Sequence, residues 1–245
     1  MTAAQPVLLV TGASRGIGLA IVQRFQRLGW RVAACARSAA VEQSGADLAL
    51  RCDVTDPQQV QRTVAATHDR WGRIDALVNN AGMTGTNSLL PDAEPKDADL
   101  LWHQILATNL HGTYYFSKQV LPHLPEGSGR IVNIASVLAL FGVPDATAYC
   151  AAKHAVLGFT RALSKHVAPR GITVNAVCPG WTRTQMAEER MQALGLSQDQ
   201  LEAGIPLGKM VEPDEVASLV ELLVVSEAGR KISGQALTID GGSFC

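Results

Sequence analysis

Tyr149 and Lys153 stand four residues apart in the segment TAYCAAKHAVLGF, residues 147–159, among small and apolar neighbours. Positions i and i+4 of an α-helix share a face, so the spacing predicts that a phenol and an ammonium meet in one space. A phenol with an ordinary pKa of about 10 is a poor acid or base near neutrality, and an adjacent cation favours its phenolate. Such a pair could carry a proton to or from a reacting oxygen. Alone, the two would read as a core tyrosine and a lysine snorkelling to solvent. The chemical reading depends on what else the chain brings to them.

A glycine-rich turn is the second candidate. TGASRGIG, residues 11–18, follows a short apolar run and opens an apolar-periodic stretch. Glycines there permit positive φ and close backbone approach, and the helix N-terminus offers unpaired N–H groups and a partial positive charge to a pyrophosphate. Gly12, Ser14, Arg15, Gly16, Ile17 and Gly18 are the candidate cofactor contacts in this turn. At the end of the second apolar run an acid would take the ribose hydroxyl of NAD, whereas an arginine accommodates the 2′-phosphate of NADP. Here the chain reads CARS, with Arg37 and no acid, and Arg15 is a second guanidinium. Two such groups suit a phosphate monoester, which points to NADP (NADPH) over NAD.

The elements that must position these groups follow from periodicity. Seven short apolar runs (PVLLVTG, WRVAACA, ADLALRC, IDALVNN, GRIVNIA, GITVNAVCP and GQALTID) alternate with longer amphipathic stretches. The pattern predicts an α/β fold with a seven-stranded parallel sheet and helices on both faces. Helices are expected from Gly16 to Leu28 with Gly29 as stop, after Asp56-Pro57, from beyond Pro95 to near Pro122, through Tyr149 and ending before Pro169, and from Glu212-Pro213. RSAAVEQSG leaves room for only a short helix between the second and third strands. GMTGTNSLLPDAEPKDAD is by contrast a long connection, and loops of that length usually have a job or are mobile.

The whole, residues 1–245, is expected to form one domain, with a candidate substrate lid at about 182–208. With 21 basic and 22 acidic side chains well mixed, nothing in the charge calls for nucleic acid or an anionic membrane. No apolar run approaches the ~20 residues needed to span a bilayer, and the first ten residues lack a signal pattern. The expectation is a soluble, unexported, cytoplasmic protein. Five scattered cysteines without CxxC spacing fit a reducing compartment and no metal site.

TGASRGIG, CDV, NNAG, IVNIAS, AYCAAK, VNAVCPG and IDGG occur in the order and at the spacing of the short-chain dehydrogenase/reductase family, which the chain resembles over essentially its full length. The resemblance implies a Rossmann-like fold, a homotetramer, and four catalytic positions: Asn109 in ATNLHG, Ser136 in IAS, Tyr149 and Lys153. Ser136 lies thirteen residues before Tyr149, as the family pattern requires. By that resemblance Ser136 would polarise a substrate carbonyl, Tyr149 would pass the proton, Lys153 would hold the nicotinamide ribose and help lower the phenol pKa, and Asn109 would anchor a relay water. Asp53 and Val54 would meet the adenine, Asn80 and Gly82 would line the adenosine side, and Pro179, Gly180, Thr182 and Thr184 of PGWTRT would face the nicotinamide.

Within the family the chain is most similar to 3-oxoacyl carrier-protein reductases and aromatic polyketide ketoreductases, which implies an NADPH-dependent reductase of β-ketoacyl thioesters or related bulky ketones. The alternatives are a dehydrogenase of a hydroxyacyl-CoA or of a cyclic or aromatic secondary alcohol, and a non-catalytic dinucleotide-binding subunit. MTGTN, residues 83–87, replaces a Pro-Gly-Gly type turn. Glu126 in LPEGSG stands where carrier-protein users show basic residues, which weighs against a carrier-protein partner although Arg170 remains. Met186, Met191, Leu194 and Leu196 of the lid, Trp181 at its root, and Leu89, Leu138, Phe141 and Val143 could make a greasy pocket.

Overall fold

The computed structural model describes residues 5–85 and 98–244. The expected loop between 83 and 99, with Leu89 and Pro95, falls largely outside the described residues. Seven parallel strands are β1 (Val7–Thr11), β2 (Arg31–Ala36), β3 (Leu48–Arg51), β4 (Ala76–Asn79), β5 (Arg130–Ile134), β6 (Thr173–Pro179) and β7 (Ala236–Ile239). Their order is β3-β2-β1-β4-β5-β6-β7, so the connections reverse direction between β1 and β4. At such a switch point a crevice opens beyond the carboxyl ends of the strands. The glycine turn after β1 and the NNAG segment after β4 both lie there.

Strand alternation sorts the core into two layers. Leu8, Val10, Val32 and Ala34 pack with Ile21, Phe25, Val220 and Leu223 on one face of the sheet. Leu9, Ala33 and Cys35 pack on the other with Val60, Phe116, Leu163 and Val174. The first layer is covered by α1 (Gly16–Arg27) and α8 (Pro213–Val225), the second by α2 (Pro57–Trp71), α4 (Gly112–Val120) and α5 (Thr147–Val167). Phe25 is fully buried with Trp30 edge-on at 5.2 Å. Burying a ring of that size contributes about 1.5 to 3 kcal/mol.

Local signals explain the helix ends. Asp56 accepts from the backbone N–H groups of Gln58 and Gln59, and Pro57 takes the first helical position of α2. Glu212 and Glu215 form a reciprocal cap before α8. Only a 3₁₀ turn, Ala39–Gln43, fits between β2 and β3, as the short connection predicted.

The helix expected from beyond Pro95 to near Pro122 is not continuous. It runs as α3 (Ala98–Leu106), a π turn (Ala107–His111) and α4 in succession. Within the turn, the Asn109 side chain donates to the Ile105 carbonyl at 2.9 Å, competing with the regular backbone ladder. The lid region also forms two helices, α6 (Gln185–Leu194) and α7 (Gln198–Ala203), where the sequence marked only a segment. Ser197 and Gln200 cap α7 reciprocally. No helix among the described residues is long and apolar enough to cross a membrane.

Candidate active site

The glycine turn is built as a cradle. Gly12 has φ +65° and Gly16 φ +56°, in the region that L side chains avoid. A Cβ on Gly18 would lie 2.4 Å from the Gly12 carbonyl oxygen and 2.5 Å from Asn80 Nδ2, so only hydrogen fits there. No side chain caps α1, whose N-terminal residue follows Arg15, and its first turn carries no acid. The N–H groups and the positive end of the helix dipole are thus left for an anion. These features fit a dinucleotide pyrophosphate.

Asn80 is tied to the glycine turn. Its amide donates to the Thr11 and Gly12 carbonyls, each at 3.0 Å, while Thr11 Oγ1 accepts from the Asn80 and Ala81 N–H groups. The side chain is therefore committed to tying the end of β4 to the glycine turn. Gly82 lies close to two of the catalytic candidates: a Cβ there would lie 2.7 Å from Asn109 Oδ1 and 3.8 Å from Lys153 Nζ. It belongs to the Tyr149–Lys153 end of the crevice, because the chain leaving β4 turns toward α5.

Asp53 Oδ1 accepts from the Thr55 N–H and hydroxyl, fixing the turn after β3. Val54 is buried against Gly112 at the start of α4. Arg37 is exposed just beyond β2, and Ser38 caps the 3₁₀ turn that follows. The Arg15 guanidinium reaches across the turn to the Gln185 side chain on α6. Thr184 caps α6 through the Ala187 N–H, and its methyl would lie 3.1 Å from a Cβ on Gly16. The segment from Pro179 through Gly180 and Thr182 to Thr184 thus folds against the glycine turn. Gly180 packs on Asp240, where a Cβ would come within 2.7 Å.

At the other end of the crevice Ser136, Tyr149 and Lys153 converge. Ser136 follows β5 and lies in hydrogen-bonding contact with the Tyr149 phenol. Its Oγ also accepts from the Leu138 N–H at 3.1 Å. Lys153 is 4% exposed, donates to the Ile134 carbonyl at 2.8 Å, and holds Nζ 5.5 Å from the centre of the Tyr149 ring. Asn109 is 1% exposed; its amide donates to Met83 O at 2.8 Å and its Oδ1 accepts from Met83 N–H at 3.2 Å. The Asn109 side chain is thereby committed to positioning, and its backbone carbonyl accepts from the Thr113 hydroxyl at 2.9 Å.

Burial dominates the electrostatics of this end of the site. Burial pushes the Tyr149 phenol up to about 12, and the Ser136 hydrogen bond opposes this only in part. Burial likewise brings Lys153 down to about 8. Loss of water disfavours the charged form of each group, which raises the phenol and lowers the ammonium. Behind the site the Cys178 thiol is pushed up to about 11, again by burial.

A buried polar chain beneath these groups was not singled out from the sequence. Asn79 Nδ2 donates to Ser117 Oγ at 3.0 Å and Asn133 Oδ1 at 2.9 Å, and Asn133 Nδ2 donates to Thr160 Oγ1 at 2.9 Å. It links β4, β5, α4 and α5 and so sets the spacing between Ser136 and Tyr149. Its only sequence signal is asparagine at the ends of the LVN and IVN runs, where a buried strand otherwise takes apolar residues. Of the residues read as a greasy pocket, two join a packed cluster and two are exposed. Trp181 and Met191 pack on Ala187, Leu201, Ile205 and Met210, whereas Leu194 and Leu196 face solvent.

The family model for enoyl-(acyl carrier protein) reductase matches residues 12–243. The chain belongs to this short-chain dehydrogenase/reductase family of oxidoreductases. It is 43% identical, over 98% of its length and 94% of the relative, to a Streptomyces violaceoruber protein described as a ketoacyl reductase of granaticin polyketide synthase. It is 39% identical to the 3-oxoacyl-[acyl-carrier-protein] reductase FabG of Vibrio harveyi, covering 97% of both chains. A crystal structure of an actinorhodin polyketide ketoreductase with NADPH superposes with a TM-score of 0.87 at 38% identity, covering 98% of this chain and 97% of that one.

Proposed function

We propose that this oxidoreductase is an NADPH-dependent reductase of β-ketoacyl thioesters or related bulky ketones. The observation that carries the reading is the meeting of Ser136, Tyr149 and Lys153 at one end of a crevice whose other end is an uncapped glycine cradle. The similarity to ketoacyl reductases supports the substrate class. The exposed Arg37, the missing acid after β2 and the NADPH-bound relative support the choice of cofactor. Gly12, Ser14, Arg15, Gly16, Ile17 and Gly18 would hold the pyrophosphate and Arg37 the 2′-phosphate. Asp53 and Val54 would meet the adenine, and Pro179, Gly180, Thr182 and Thr184 the nicotinamide end. Family resemblance supports a cytoplasmic homotetramer.

When bound, NADPH supplies the hydride that the carbonyl carbon takes. Ser136 Oγ donates to the carbonyl oxygen, stabilising the charge that develops on it. Tyr149 gives its proton to the same oxygen. A phenol at about 12 is fully protonated at neutral pH, which suits the reductive direction, in which an acid is consumed. Lys153, with a pKa near 8, exchanges its own proton readily near neutrality and is placed to re-protonate the phenol side of the crevice. By family resemblance Asn109 would anchor a water that continues the path outward through Lys153.

The test is initial-rate oxidation of NADPH and of NADH with the N-acetylcysteamine thioester of 3-oxooctanoate. Turnover with NADPH that disappears in Tyr149→Phe is expected. A clear preference for NADH would overturn the cofactor reading, and cofactor binding without turnover on thioesters, bicyclic ketones or aryl ketones would overturn the catalytic one.

A further inference from the structure

The segment that carries the chain from Ser136 to Tyr149 is held by side chains. After a 3₁₀ turn, Val137–Ala139, it runs through Phe141 to Ala146, and α5 begins at Thr147. From Phe141 to Ala146 no backbone N–H donates to a backbone carbonyl among the described residues, so regular structure does not fix its path. At the end next to α5, Asp145 pairs with Arg190. At the other end the Phe141 ring stacks on Phe244, with centroids 4.1 Å apart and planes at 28°. Phe244 is brought there by a hook at the end of the chain. Beyond β7, Asp240 Oδ2 accepts from the Phe244 N–H at 3.1 Å and Oδ1 from the Gly242 N–H at 3.0 Å, and the Ser243 hydroxyl donates to the Asp240 carbonyl at 2.7 Å. Gly241 and Gly242, at φ +66° and +80°, let the backbone double back. Asp240 is seated against Gly180, so the hook joins the exits of β6 and β7 to the segment between Ser136 and Tyr149.

Resting on the ketone-reductase reading, we infer that Phe244 is a positioning residue: acting through Phe141, its ring holds the segment from Ser136 to Tyr149 so that the serine hydroxyl and the phenol meet at one substrate oxygen. Phe244 touches neither group, and its effect is on geometry alone. A misplacement of about 1 Å at a reacting centre can cost about 10²-fold in rate, because a donor stabilises developing charge only from the right place. Stacked rings attract each other beyond the area they bury, and here that attraction ties down a stretch with no backbone ladder of its own. Phe244 is 40% exposed and lies outside the two core layers, so removing its ring leaves them intact. The backbone N–H that bonds Asp240 survives the truncation.

Initial rates with NADPH and the N-acetylcysteamine thioester of 3-oxooctanoate test this. Phe244→Ala is expected to lower kcat at least fivefold while the NADPH dissociation constant stays within twofold. Phe244→Tyr, which keeps the ring, is expected to keep kcat within twofold. Phe141→Ala is expected to lose as much as Phe244→Ala, and the double variant no more than either, because two rings in contact act as one unit. An unchanged kcat in Phe244→Ala, a loss that Phe244→Tyr shares, or losses that multiply in the double variant would each overturn the inference. Chymotryptic nicking beside Leu140 and Phe141 reads the same contact without turnover. It is expected to be at least fivefold faster in Phe244→Ala and to keep its natural rate in Phe244→Tyr. If no thioester is reduced while nicking follows that pattern, the substrate reading fails and the hold of Phe244 on the segment stands. Equal nicking of all three proteins overturns that hold itself.

Discussion

Lys153 donates a hydrogen bond from a nearly fully buried ammonium to the carbonyl of Ile134, at 2.8 Å, one strand-end away from Ser136. That contact draws the lysine inward from the surface a helical lysine usually reaches, and puts its charge 5.5 Å from the Tyr149 ring. The cost of burying it appears in its own pKa, brought down to about 8.

This makes stability depend on pH in a definite direction. Lys153 titrates at about 8 in the folded chain against 10.5 ordinarily, so between these values the unfolded chain binds more protons and stability rises with pH. Tyr149 has the opposite sign: raised from 10.0 to about 12, it gives stability that is lost as pH climbs through that interval. Urea midpoints of the natural chain minus those of Lys153→Met are expected to rise between pH 8 and pH 10. A flat difference would contradict the burial argument.

Removing the phenol hydroxyl removes the proton donor and leaves the ring packing against α3. Tyr149→Phe is expected to lower kcat by about 10²- to 10⁴-fold, the usual contribution of a positioned acid. Dissociation constants for NADPH, measured by fluorescence titration, should stay within a few-fold.

Arg37 is exposed just past β2, so its replacement tests recognition with little effect on folding. Arg37→Asp puts an acid where a ribose hydroxyl would be accepted and a 2′-phosphate repelled. The ratio of kcat/KM for NADPH over NADH is expected to fall at least 100-fold, with the melting temperature unchanged.

Gly18→Ala introduces a methyl at 2.4 Å from the Gly12 oxygen and 2.5 Å from Asn80 Nδ2. Overpacking of this kind costs about 1–3 kcal/mol. Because Asn80 joins the turn to β4, the strain enters the cradle, and loss of dinucleotide binding alongside the lower denaturation midpoint is expected. An unstrained variant that binds normally would show that the cradle gives way there.

Much of this site was legible because its signals are local. All seven strands lie within the runs read from hydrophobic periodicity, α1 starts at the expected Gly16, α2 and α8 start at their acid–proline pairs, and α5 ends before Pro169 as read. The i, i+4 spacing of Tyr149 and Lys153 survives as a shared helix face, since helical geometry alone dictates it. The π turn at Asn109 was not legible: it comes from a side chain bonding across to Ile105 and Met83, and Met83 is distant in sequence.

By itself, then, the sequence determined a doubly covered parallel sheet, a glycine turn at its switch point and a phenol–ammonium pair on one helix face, because each depends on residues within a turn or two of one another. Only the tertiary structure decided the protonation states, through burial of Tyr149 and Lys153 against β5, and the Asn79–Asn133–Thr160 chain that spaces the elements. It also decided that Asn80 ties β4 to the glycine turn and that Gly82 lies beside Asn109 and Lys153. These depend on the distance between groups far apart in the chain and on the loss of water between them, which no local spacing encodes.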